Sequence, residues 1–125
     1  MILLSNAVRI YVAVEPVTMH KSFDGLMAQV RSVLAHDPLS GHVFAFINRR
    51  RNQVKLLMWT RGGFTIIHKR LEVGTFAFAR RLRHDATSVE IGAHELSMLL
   101  EGIDVSRARI APRWNPPLAA DTMLS

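Results

Sequence analysis

The sequence predicts a single α+β domain: an antiparallel sheet, built on a three-stranded meander with one or two further strands, with two helices packed on it. Three observations carry this. The 125-residue chain has the length of one ordinary domain. Its middle holds three β-rich runs joined by connections too short for a crossover, which forces antiparallel neighbours. Two other stretches place apolar residues at helical spacing.

Residues 8 to 14 alternate and are rich in β-branched types, with Val8, Ile10, Val12 and Val14 on one face, and Glu15-Pro16 ends the strand. From 23 to 35 the period changes. Phe23, Leu26, Met27, Val30, Val33 and Leu34 form one apolar stripe, Ser22 stands at the N-cap position, and Asp24 lies in the first turn. The stop is His36-Asp37-Pro38, because a residue before proline avoids helical angles. Strands follow at Val43 to Ile47, Val54 to Thr60 and Phe64 to Leu71, joined by Arg49-Arg50-Arg51-Asn52 and by Arg61-Gly62-Gly63. A loop is expected over 80–85 and a short strand over 89–91. Leu96, Leu99, Leu100 and Ile103 share a helical face, with Gly92 at the N-cap, Glu95 three residues on, and Gly102 at the C-terminal end. The domain is expected to occupy 1–104. The basic, Pro-containing stretch 105–125 lacks periodicity and reads as a flexible tail.

Composition narrows the chemistry. There is no cysteine, which removes disulfides, Cys-ligated zinc, Fe–S clusters and thiol nucleophiles. The six histidines show no i, i+4 pair and no His-Glu-x-x-His, so no metal site is expected. Gly-x-Ser-x-Gly, Ser-x-x-Lys and a phosphate-binding Gly-x-x-x-x-Gly-Lys loop are all absent. Carboxylates are nearly missing from the strands, where the firm cluster of a metal-dependent nuclease would be sought. The expectation is a protein without catalytic residues or cofactor. No apolar run approaches the ~18 residues of a membrane span, and the N-terminal stretch lacks the basic start and long apolar run of a signal peptide. A cytoplasmic location is expected.

Charge supplies the functional signal. Residues 47 to 83 hold ten basic residues and one acid, a net +9, which leaves −3 for the rest of a chain whose total is +6. Thirteen of the sixteen basic residues are arginine, the type suited to bidentate phosphate contact. In a meander, the end of the third strand lies beside the start of the second. Lys69 and Arg70 are therefore expected near Arg49, Arg50 and Arg51, with Lys55 and Arg61 extending the surface and Arg61 at the far end. Such a cluster points to an anionic partner, with DNA phosphates foremost. Phe44, Phe46, Trp59 and Phe64 lie within the same sheet, among apolar neighbours that favour a core role over base stacking.

Four ordered stretches resemble a known family. His42 to Trp59 is similar to the central signature of a small accessory protein of bacterial transposons: TnpB, the second open reading frame product of insertion-sequence family sixty-six. Met19-His20-Lys21-Ser22-Phe23-Asp24-Gly25-Leu26 resembles that family's Met-Arg-Lys-Gly-Phe-Asp-Gly-Leu. Lys69 to Phe76 resembles its Lys-Arg-Leu-Glu-x-Gly-x-Phe, and Leu96 to Asp104 its Leu-x-x-Leu-Leu-x-Gly-Ile-Asp. The departures are His20 for arginine, Ser22 for glycine, Thr60 for an aspartate and Phe78-Ala79 for Trp-Pro. The resemblance implies a role in transposition beside a separate, larger transposase that carries the catalytic acids. Two functions fit best, an accessory factor that binds DNA and an interaction module that docks the transposase or another subunit without touching DNA; a small metal-dependent nuclease is the third and least supported. An unpaired edge strand also leaves pairing with a second copy open.

Overall fold

The structure, a computed structural model, describes residues 7–76 and 86–102. The expected loop at 80–85 and the tail from 105 lie outside these residues. Five strands, β1 (Ile10–Ala13), β2 (Val43–Ile47), β3 (Gln53–Thr60), β4 (Gly63–Arg70) and β5 (Ser88–Ile91), form one sheet in the order β4-β3-β2-β1-β5. Two helices, α1 (Phe23–Ser32) and α2 (Ala93–Leu100), accompany it. The fold is α+β, and β2-β3-β4 is the antiparallel meander that the short connections demand.

One pairing refines the expectation of an antiparallel sheet. β1 runs parallel to β2, with Ile10 opposite Val43 and Val12 opposite Ala45. The connection between them carries α1, so β1-α1-β2 is a crossover unit of the kind parallel neighbours require. β5 pairs antiparallel with the free side of β1.

Both faces of the sheet are covered, by different helices. Ile10, Val12, Val43, Ala45, Val54, Leu56 and Met58 pack with Leu96 and Leu99 of α2 and with Phe76. The alternate residues Ala13, Phe44, Phe46 and Leu57 pack with Leu26 and Val30 of α1 and with Leu34. Two-sided burial accounts for the unbroken apolar runs of β2 and β3, since strands covered on both faces need no polar alternation. Phe44 and Phe46 are fully buried, as their apolar neighbours predict.

The helix ends show local chemistry at work. Ser22 holds the N-cap of α1, but its hydroxyl makes no cap bond. Asp24 lies in the first turn. The helix closes at Ser32, short of residue 35, because its last turn widens. The Leu34 N–H reaches Gln29 O at 3.1 Å, and Ala35 adopts a left-handed φ of 57°. At α2, Glu95 Oε1 accepts from the Gly92 N–H at 3.0 Å, half of a capping box. Gly102, at φ 81°, ends that helix in the left-handed conformation glycine tolerates best.

Candidate nucleic-acid interface

The β2–β3 connection is a built turn. The Arg51 N–H donates to Asn48 O at 2.9 Å, which puts Arg49 and Arg50 at the corners. Asn48 Oδ1 accepts from the backbone N–H groups of Asn52 and Gln53, each at 3.0 Å, and its Nδ2 donates to Asn52 Oδ1 at 2.8 Å. One side chain thus satisfies the interior of the turn and leaves its outer face free. Arg49, Arg50 and Arg51 are all exposed. Arg51 holds a φ of 61°, a region uncommon for residues other than glycine and asparagine.

The segment after β4 braces this turn from outside. The Leu71 N–H donates to Asn52 O at 2.7 Å, and the Phe76 N–H donates to Arg51 O at 2.6 Å. Phe76 is fully buried against the α2-side core, and Gly74 turns the intervening chain at φ 84°. The stretch Lys69 to Phe76 therefore acts as a strap around the arginine turn.

The seven expected site residues divide. Arg70 stands opposite Gln53 in the β3–β4 register, at the same end as the turn, and remains exposed. Its Nε donates to Glu72 Oε2 at 2.9 Å, an exposed pair that contributes little. Lys69 also lies at this end, but strand alternation sends it to the α2 face, where its ammonium hydrogen-bonds Leu100 O. A cation at the end of α2 caps free carbonyls and complements the helix dipole. Arg61 sits in the β3–β4 turn, at the far end of an eight-residue strand, roughly 23 Å from the arginine turn at ~3.3 Å per residue.

Lys55 requires correction. It was expected to extend the surface, and it is 9% exposed. Its Nζ donates to Met19 O and Lys21 O, each at 2.8 Å. β3 is covered on both faces, so the position between Val54 and Leu56 looks into the α1 side and not into solvent. The ammonium ties the β1–α1 connection across the sheet. The charge-assisted bonds to two carbonyls offset part of its desolvation.

Three residues join the site that were not among the expected contacts, although His20 was already noted as a departure from the family pattern. A cleft of about 630 Å³ lies between the β1–α1 connection and the arginine turn, with His20, Gln53 and His68 among its lining residues beside Arg49 and Arg50. His68 Nε2 and Gln53 Oε1 share a hydrogen bond of 2.8 Å. Desolvation by its neighbours, together with the cations of Lys55 and Arg70, lowers the His68 pKa below the ordinary histidine value. The β3–β4 register brings Gln53 and His68 together, and the β1–α1 connection adds His20; no local sequence pattern connects the three. Among the described residues no group of three or more His, Asp or Glu is placed to hold a metal ion, and no helix is long and apolar enough to cross a membrane.

The arrangement is a braced cationic corner open to solvent. Among the described residues the ion pairs are Arg9–Glu90 and Arg70–Glu72, so the three turn guanidiniums have no carboxylate partner. The sequence pattern of the family described as IS66 Orf2 like protein matches residues 8–110. This chain belongs to the IS66 Orf2-like family. The chain is also 32% identical over 116 residues to the protein y4jC of Sinorhizobium fredii (strain NBRC 101917 / NGR234), covering 93% of this chain and 97% of the relative. No solved structure matches it. Membership in the IS66 Orf2-like family supports an accessory role in transposition. The family stretches quoted above fall on structural parts: the arginine turn, the strap that braces it, α1 with its preceding loop, and α2 with its Gly102 end.

Proposed function

We propose that this IS66 Orf2-like protein is a non-catalytic accessory factor that binds DNA beside a separate transposase. The observation that carries the reading is the arginine turn. Asn48 and the strap fix its backbone, while three consecutive guanidiniums stay exposed with no carboxylate partner among the described residues. Arg70 completes the set from β4. Arginine forks suit phosphate oxygens, and contacts of this kind position a protein on DNA without reading its sequence. The address then comes from base contacts elsewhere or from the transposase.

The test is a salt titration of binding to a duplex bearing the element's terminal repeat, with a scrambled duplex alongside. Four neutralised phosphates give a slope of log affinity against log salt of about −3.6, or roughly a 150-fold loss between about 50 and 200 mM salt. A steep slope with preference for the repeat identifies a site-reading factor. The same slope without preference identifies an electrostatic helper directed by the transposase. No binding at low salt overturns the reading, and the basic corner then belongs to an acidic protein partner.

A further inference from the structure

The cleft beside the arginine turn has a composition and a shape that duplex binding does not use. One wall is cationic, formed by Arg49 and Arg50 at the corners of the turn. The opposite wall is the β1–α1 connection, where exposed Pro16 and half-buried Met19 supply apolar surface. His68 and Gln53, hydrogen-bonded to each other, line the cleft from the strands. No carboxylate is among the lining residues.

Behind the apolar wall lies the buried ammonium of Lys55, held by two carbonyls of that same connection and by no carboxylate. A cation withdrawn from water without a counter-charge raises the potential of the concave surface in front of it, and low-dielectric walls focus that field. The cleft also occupies a particular place in the topology. β1 and β2 are parallel, and the connection after β1 and the turn after β2 both leave from their carboxyl ends. Ligands of open sheets with parallel crossover units collect in the crevice outside those ends.

Size decides the occupant. A volume of about 630 Å³ falls within the range of roughly 300–1,000 Å³ typical of small-molecule sites. A base-paired duplex is too broad to enter, whereas one nucleotide outside the stack is not. We propose that the cleft takes a single unpaired nucleotide, at a strand end or an unpaired junction. Its phosphate lies on Arg49 and Arg50, and its base lies against the Pro16 and Met19 wall with a polar edge toward Gln53. This rests on the reading of the turn as a DNA contact and adds to it. The turn grips phosphates in general, and the cleft distinguishes a frayed or processed end from continuous duplex.

The test compares a blunt duplex with the same duplex carrying a short single-stranded extension, at matched phosphate count, by fluorescence anisotropy on the full chain. The extended DNA is expected to bind severalfold more tightly, because one base face leaves water against the apolar wall. Thr18 is exposed and lines the cleft without belonging to the turn. Thr18→Trp fills the space, and it is expected to abolish the preference while leaving blunt-duplex affinity and salt slope unchanged. Equal affinity for the two DNAs in the wild-type protein overturns the proposal, and so does a preference that survives Thr18→Trp. In both cases the reading of the turn stands. A second measurement needs no variant: titration with deoxyadenosine 5′-monophosphate, followed through the His68 ring resonances. Saturable shifts support the cleft as a nucleotide site even if duplex binding fails. Unmoved resonances, with duplex binding intact, overturn it.

Discussion

The two ends of β3 are closed by turns that share a backbone feature and little else. Each holds an arginine with positive φ, Arg51 at 61° and Arg61 at 46°. At the Arg61 end the connection is minimal. Thr60 pairs with Gly63, and Arg61-Gly62 alone reverse the chain, with Gly62 at φ 82°. Two residues with positive φ are what a type I′ hairpin turn requires, and no side chain is needed to support it. The Arg51 end is longer and is supported throughout. Asn48 makes three side-chain hydrogen bonds inside the turn, and the N–H groups of Leu71 and Phe76 hold its carbonyls from outside. Where the chain needs only to reverse, it uses backbone conformation. Where it must hold like charges side by side, it adds hydrogen bonds from Asn48 and from the strap, and it is this braced end that we propose meets DNA.

The largest expected effect follows from replacing Arg49, Arg50 and Arg51 together by alanine. Three phosphate contacts disappear, and the salt slope falls in magnitude from about 3.6 to about 0.9. Binding weakens on every duplex alike, because phosphate contacts carry no sequence. Arg61→Ala at the other end leaves the slope unchanged. A fall of about one in that variant means that the duplex lies lengthwise along the β3–β4 hairpin and uses both ends. Parallel titrations of the two variants separate these geometries.

A second effect concerns stability. Asn48→Ala removes three hydrogen bonds at once and strands the part-buried N–H groups of Asn52 and Gln53. At roughly 1 kcal/mol per net bond, partly recovered by water, the loss is about 2 kcal/mol, read from the midpoint of urea unfolding. Thr60→Ala at the opposite turn removes one exposed hydroxyl contact, the 3.0 Å approach to Thr65, and costs less than about 0.5 kcal/mol. Equal losses at the two ends would show that Asn48 is replaceable and that the strap alone holds the arginine turn.

Much of this contrast was legible in the sequence, and the exceptions share a cause. Short connections dictated the meander, so the convergence of Arg70 with the Arg49–Arg51 turn followed from chain order and strand direction. The bounds of β2, Val43–Ile47, are those expected. The parallel partnership of β1 and β2 was not legible, because the long connection through α1 permits either direction and either side. The burial of Lys55 and the contact that Lys69 makes, at the end where it was expected, were hidden for a related reason. Alternation tells which residues share a face, but not whether a helix covers that face. Here both faces of β3 are covered, so Lys55 is buried under the β1–α1 connection, while Lys69, still exposed, hydrogen-bonds the end of α2. His20, Gln53 and His68 come from three segments with no common motif, and only the fold gathers them.

The smallest effect gives the sharpest comparison, because one substitution made at each end predicts one shared result and one opposed result. Asparagine tolerates positive φ better than arginine does, so Arg51→Asn and Arg61→Asn both relieve backbone strain. The second also creates an Asn-Gly pair, the preferred sequence for a type I′ turn. Each variant is expected to gain up to about 1 kcal/mol in unfolding free energy. Their DNA affinities diverge. Arg51→Asn loses about 0.9 from the magnitude of the salt slope, and Arg61→Asn loses none. A more stable protein that binds DNA less well identifies Arg51 as an arginine kept at the expense of the backbone for its charge. If Arg51→Asn is stabilised with its slope intact, the Arg51 guanidinium does not contact phosphate, and the contact set narrows to Arg49, Arg50 and Arg70.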